Sequence, residues 1–254
     1  MNNLDTELPK VGRYPLEVAP FHTDFTGELT VGMLGNHLLN CAGFHAGARG
    51  FNGVVLDGEE YLWVLSRLVI EIEKMPREYD HIAVETWIDS VYRFFTNRHF
   101  AVIGSEGVPV AYATSVWAAI GAHSRQPADL VRIYGSHLPD YIDAEKPCPV
   151  AKYTRHRLQG SDAVGTLVPK YGDIDGNGHV NSIRYIDHLL DLFPLDYYRT
   201  HRVQRVEIAY NTESFYGEEL SIFQEEPAPG EFLFEVKHHS GETVCSSRII
   251  FNNR

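Results

Sequence analysis

The 254-residue sequence predicts an α+β fold built twice: two tandem units, each an antiparallel sheet wrapped around a long central helix. Three observations carry this. Each half has one segment with apolar residues at helical spacing. Each such segment is followed by a series of strand-like runs. Between the halves lies a proline-bearing stretch with neither period.

Taken in order, the first helix is expected over 31–46, where apolar residues recur at helical intervals with some interruption by Gly. Strands are expected at 61–73, carried by Trp63, Leu65, Leu68, Ile70 and Ile72, and then at 82–90, 94–103 and 110–120. Residues 134–163 contain Pro139, Pro147 and Pro149 and read as a linker. The second helix follows from Val180, Ile183, Ile186, Leu190 and Phe193, spaced three or four apart. Further strands are expected at 203–210, 218–223, 232–239 and 243–251. The domains are therefore placed at 1–148 and 149–254. The lead into each helix can also be superposed: Asp24-Phe-Thr-Gly27-Glu-Leu-Thr-Val31 matches Asp173-Ile-Asp-Gly176-Asn-Gly-His-Val180 at Asp, Gly and Val. In that register Asp175, Asn177 and His179 stand opposite Thr26, Glu28 and Thr30, so the polar trio exists once.

Composition removes several classes. The chain is 44% hydrophobic and 22% charged, enough apolar material for a core, with no run long enough to span a bilayer. A net charge of −12 disfavours nucleic acid, whose phosphates need a basic face. The N-terminal residues lack the basic and apolar regions of a signal peptide, and Cys41, Cys148 and Cys245 are too few and scattered for a disulfide framework. Cytoplasm is the expected compartment. Thirteen histidines show no metal-ligand spacing, and no nucleophile elbow, phosphate loop or dinucleotide fingerprint is present. Neither metal nor cofactor is expected.

The run Asp173-Ile-Asp-Gly-Asn-Gly-His-Val-Asn-Ser-Ile-Arg-Tyr185 imitates a calcium loop in its first half. Its twelfth position, which should be a bidentate Glu, is Arg184, a group with five donors and no acceptor. The preceding 163–170 segment carries Gly165 and Pro169, and its Val164, Leu167 and Val168 suggest an extended chain, not an entering helix. The calcium reading fails. What remains is Asp175, Asn177 and His179 at alternate positions ahead of a helix.

Asp175-Gly-Asn177-Gly-His179-Val-Asn-Ser-Ile-Arg-Tyr185 resembles the D-x-N-x-H-V-N-N-x-x-Y signature of acyl-acyl carrier protein thioesterases. Tyr210-Asn-Thr-Glu213-Ser214 is similar to that family's Y-R-R-E-C strand, and Trp63-Val-Leu-Ser-Arg67 to its W-x-L-x-R stretch. The resemblance spans roughly residues 10 to 253. It implies two tandem hotdog domains, with the signature opening the central helix of the second. It also implies hydrolysis of fatty acyl chains from the phosphopantetheine arm of acyl carrier protein. Two positions depart: Ser214 replaces the Cys of plant members, and Ser182 replaces the second Asn.

Thioester hydrolysis needs an activated water and donors for a developing oxyanion. Glu213 is the candidate base, acting from an apolar pocket. Asn177 and His179 are candidates to polarise the carbonyl or hold the water, Asp175 to orient His179 or cap the helix, and the helix N-terminus after Gly178 to supply a positive dipole. Each has a plain alternative: Asp175 and Asn177 as caps, His179 as a surface histidine, Glu213 as a solvated strand residue. Ser214 reads as structural. Leu38, Phe44 and Trp63 are the candidate acyl-chain lining. Because the carrier is acidic, a net-negative enzyme needs a local basic patch. Lys152–Arg157 and Arg199–Arg205 both qualify, and Arg202 and Arg205 are favoured for their nearness in sequence to the site. A homodimer is the further assembly the resemblance allows, although two domains in one chain can satisfy edge pairing internally.

Three rivals stand beside this reading. An acyl-CoA hotdog thioesterase would share the chemistry. An enoyl-thioester hydratase would carry D-x-N-P-x-H, whereas here His179 is four residues after Asp175 and no Pro intervenes. An acyl-binding module without catalysis would tolerate loss of Glu213.

Overall fold

A computed structural model describes residues 8–51, 53–160 and 162–254. The first half contains β1 (Gly12–Glu17), helix α1 (Val31–Ala48), β2 (Val54–Leu56), β3 (Glu59–Ile72), β4 (His81–Val91), β5 (Phe95–Ile103) and β6 (Pro109–Gly121). A short helix α2 (Leu130–Tyr134) leads into 3-10 turns and the linker. The second half has β7 (Ala163–Leu167), α3 (Ser182–Leu190), α4 (Leu195–Thr200), β8 (His201–Tyr210), β9 (Leu220–Ala228), β10 (Glu231–His238) and β11 (Thr243–Asn253). The eight long strands lie where the alternating patterns put them. The edge strand β1 and the short elements β2, α2 and α4 carry too little pattern to be read.

The strands form one antiparallel sheet in the order β1-β4-β5-β6-β3-β8-β11-β10-β9-β7, with β2 on β3. The halves join where β3 pairs β8, from Arg67 opposite Ala209 to Glu71 opposite Arg205. Alternation sends Leu68, Ile70, Val206 and Ile208 inward, where they are buried in a core shared by both halves. On that inner face α1 and α3 cross. Gly32 and Gly35 of α1 bring its backbone against Asp187 and Ile183 of α3, where any Cβ would meet those side chains.

The second helix is shorter than expected, 9 residues against a stripe that runs from Val180 to Phe193. Asn181 caps it, its Oδ1 accepting from Ile183 N at 2.9 Å, so Val180 lies outside. At the other end Pro194 starts a new turn, and Phe193 leaves the helix to pack against Phe232 and Phe251 at ring-centroid distances of 4.7 and 4.8 Å.

The linker is a strap laid over the sheet's outer face. Five of the strands beneath it offer a glutamate. Lys146 Nζ reaches Glu85 of β4 at 3.1 Å, and Ala151 N donates to Glu71 of β3 at 3.2 Å. Thr154 N donates to Glu207 of β8 at 2.8 Å, Leu158 N to Glu235 of β10 at 3.3 Å, and Gln159 N to Glu225 of β9 at 2.7 Å. A segment without secondary structure thus has its backbone donors satisfied by side chains. Beneath the strap Arg205 is buried, bound to Glu71, to Glu207 at 2.7 Å and to Ala151 O at 2.8 Å. Its proposed part in docking a carrier is therefore corrected: an internal guanidinium with its charge already matched offers nothing to a partner.

Candidate active site

The loop before α3 is shaped by Asp175. Its Oδ1 accepts from Asn177 N at 2.8 Å and His179 N at 3.2 Å, and its backbone N donates to His179 O at 2.8 Å. Gly178 closes the turn at φ +84°, a conformation L side chains avoid. Asp175 therefore caps this loop and not the helix, a role that falls to Asn181.

The same turn recurs ahead of α1. Asp24 Oδ1 accepts from Thr26 N at 2.7 Å, Asp24 N donates to Glu28 O at 2.8 Å, and Gly27 has φ +74°. These bonds equate Asp24 with Asp175, Thr26 with Asn177 and Glu28 with His179. The register read from sequence is thus displaced by two residues. Leu29 N donates to Pro76 O as Val180 N donates to Ser214 O, which sets Met75 where the second half has Glu213. The first-half copy lacks the chemistry: Glu28 is held by Arg254 at 3.0 Å, and its neighbour is a thioether.

In the second-half copy His179 and Glu213 converge. Glu213, three residues beyond the end of β8, places Oε2 3.4 Å from His179 Nε2, and both side chains are partly exposed. The other oxygen, Oε1, is met by Arg125, which the sequence reading missed. Arg125 sits in the turn after β6 with φ +54° and comes from the first half. No local motif announces it. The Phe215 ring meets His179 edge-on at 5.3 Å. The carboxylate is flanked by an imidazole and a guanidinium instead of the apolar walls expected from sequence. Asn177 is exposed, and its side chain has no hydrogen-bond partner among the described residues.

The helix dipole is less available than the sequence suggested. The N–H groups of Asn177, Gly178, His179, Val180, Asn181 and Ile183 are all taken within the protein. Ser214 is fully buried, its hydroxyl 2.6 Å from that of Tyr185, which fits the structural role read for it.

The first half holds an apolar cavity of about 290 Å³, lined by Leu39, Phe51, Trp63, Ile88, Trp117 and Leu138 among others. The β3–β8 ladder ends at Arg67 opposite Ala209, four residues from Trp63 on β3 and four from Glu213 along the chain. Trp63 lines this cavity, fixed by a 2.7 Å hydrogen bond from Nε1 to Phe51 O. Leu38 and Phe44 do not line it. Leu38 is sealed in the core at 0% exposure, and Phe44 points to solvent at 63%. Gly interruptions blurred the phase of α1, and the helix turns these two away. A larger hollow of about 550 Å³ surrounds the first-half loop, and Arg202 lines that one. From Arg202 to the end of β8 is about 26 Å at about 3.3 Å per residue. Arg202 is remote from Glu213.

Models of two protein-family domains match this chain, the acyl-ACP thioesterase N-terminal domain over residues 11–134 and the C-terminal domain over 157–253. The chain belongs to the acyl-ACP thioesterase family. Among solved structures, an acyl-ACP thioesterase from Bacteroides thetaiotaomicron is 51% identical with a TM-score of 0.89, covering 96% of this chain and 98% of that one. The 12:0-ACP thioesterase from Umbellularia californica shares the fold at 19% identity, with a TM-score of 0.80 over 96% of this chain and 95% of its own. That fold is the double hotdog. A palmitoyl-acyl carrier protein thioesterase of Gossypium hirsutum is 25% identical over 189 residues, covering 70% of this chain and 46% of its own. The chain spans about half the length of the curated relatives it matches. Within the family frame, the signature residues Asp175, Asn177 and His179 occupy one loop, and Glu213 faces it. Among the described residues no cluster of His, Cys, Asp and Glu could hold a metal ion, and no helix is long and apolar enough to cross a membrane.

Proposed function

We propose that this protein hydrolyses the thioester of fatty acyl-acyl carrier protein, releasing free fatty acid, with residues 149–254 supplying the chemistry and 1–148 the acyl pocket. The observation that carries the reading is the Glu213–His179 pair, 3.4 Å apart and partly exposed, in a chain whose first half holds an apolar cavity. Glu213 takes the proton of an attacking water. His179 Nε2 shares that water or donates to the carbonyl oxygen as charge builds on it. Asp175 orients His179 through the loop backbone, and exposed Asn177 turns to the thioester when substrate arrives. Arg125 fixes the rotamer of Glu213 from the opposite half. Membership of the family and the family names of its relatives support the carrier-bound substrate. The test is release of fatty acid from acyl-carrier substrates by the purified protein. Glu213→Gln keeps the shape and removes the base, so kcat should fall about 10²- to 10⁴-fold. Undiminished turnover in that variant would remove Glu213 from the mechanism.

A further inference from the structure

Most arginines of this chain already face a carboxylate, as Arg13 does Glu85, Arg93 Asp129, and Arg248 Glu231. Three that face none among the described residues, Arg67, Arg155 and Arg157, line one hollow of about 400 Å³. For a protein of net charge −12 that concentration is unusual. The strap builds it. Tyr153 to Arg157 run from above β8 toward β10, along the anchors at Glu207 and Glu235, and Arg67 of β3 lies over the Tyr153 ring at 5.1 Å. Lys237 adds a fourth cation, and the one acid of the hollow, Glu235, is engaged by Lys237 at 2.7 Å and by Leu158 N. His156 also lines it, with Nε2 buried and unpartnered among the described residues.

The hollow has the right position as well as the right sign. Ala209 and Asn211 form part of its wall, and Asn211 is two residues from Glu213, within about 7 Å along the chain. Arg202, by contrast, sits at the far end of β8 beside the first-half loop.

We propose that this strap-built basic hollow is where the acidic acyl carrier protein docks, with the phosphate of its pantetheine arm held among Arg67, Arg155 and Arg157. The inference rests on the thioesterase reading and adds the surface through which the substrate is presented. Local cations here overcome the long-range repulsion between two acidic proteins, and planar guanidinium groups suit a phosphodiester. Association should then weaken as salt rises.

The test compares the double variant Arg155→Glu/Arg157→Glu with wild type on acyl-carrier substrate and on the matching acyl-pantetheine thioester. Both residues are exposed, so the fold should survive. KM for the carrier substrate is expected to rise at least about tenfold with kcat little changed, while the pantetheine thioester is unaffected. Arg202→Glu, at the remote end of the strand, should leave both unchanged. An equal effect on both substrates, no effect on either, or the same rise from Arg202→Glu would overturn the docking surface and leave the thioesterase reading standing. Hydrolysis of neither substrate by the wild type would remove that reading and this surface together.

Discussion

His45 is fully buried yet polar. Its Nε2 lies 3.0 Å from the carbonyl of Lys10 and its Nδ1 3.1 Å from Arg98 Nη1. The neutral tautomer protonated at Nε2 fits both, donating to the carbonyl and accepting from the guanidinium. Burial first, then the charges of Arg98 and Arg49, push its pKa down to about 3. In the unfolded chain a histidine titrates near 6.5. Below that pH the unfolded chain takes up a proton the folded one refuses. The fold is therefore at full strength above about pH 6.5 and loses stability toward pH 3, by about 1.4 kcal/mol per unit at most from this group. The carboxylate of Asp173, raised by burial but lowered further by Lys170 N and His188, loses its contribution only lower, as pH falls through its depressed value. Thermal unfolding followed between pH 7 and 4 should show a falling Tm, and His45→Gln should flatten that slope. The slope reduces without vanishing, because burial also lowers His37 and His99. An unchanged slope would mean His45 is not the group responsible. At this scale the sequence betrays only what is local. Asp175, Asn177 and His179 lie within five residues and share one turn. Arg125 reaches Glu213 across 88 positions through a left-handed residue, and the burial of His45 depends on strands that no spacing rule connects to it.

Among the elements, the strands were legible because alternation survives any tertiary context that buries one face. The helices were less so. Two glycines compete for the turn before α3, and the turn's hydrogen bonds together with the positive φ at Gly178 show that it, not Gly176, matches Gly27. That ambiguity caused the two-residue slip. The glycines of α1 make a sharper test. In a helix interior Ala is favoured over Gly by about 1 kcal/mol. Gly43 has nothing within 4 Å of a built Cβ, so Gly43→Ala should stabilise by about 0.5–1 kcal/mol. At Gly35 the added carbon would stand 2.7 Å from Ile183 Cδ1, and Ile183 is only 1% exposed. Overpacking of that kind costs about 1–3 kcal/mol, so Gly35→Ala should be net destabilising. Urea midpoints at unchanged m-value would show the opposite signs. Like signs would place the contact between α1 and α3 elsewhere.

On the scale of the molecule, a division at residue 148 describes two sequence repeats and two proposed tasks. The physics points to one cooperative unit. Severing the halves would strip β3 of β8, leaving Leu68 and Ile70 on one side and Val206 and Ile208 on the other along unpaired edges. It would also open the apolar cluster to which both halves contribute, and free a strap whose anchors are divided between them: Glu85 and Glu71 before the junction, Glu207, Glu235 and Glu225 after it. The ion pair between Glu71 and Arg205 crosses the same seam below the strap. Calorimetry of the whole chain should therefore give a single transition with calorimetric and van't Hoff enthalpies in agreement. Residues 1–148 and 149–254 expressed apart should fail to fold, although their mixture can regain the sheet. Two separate transitions, or either half unfolding cooperatively alone, would show that the β3–β8 seam joins two finished domains. Its buried surface would then be an interface and not part of a common core.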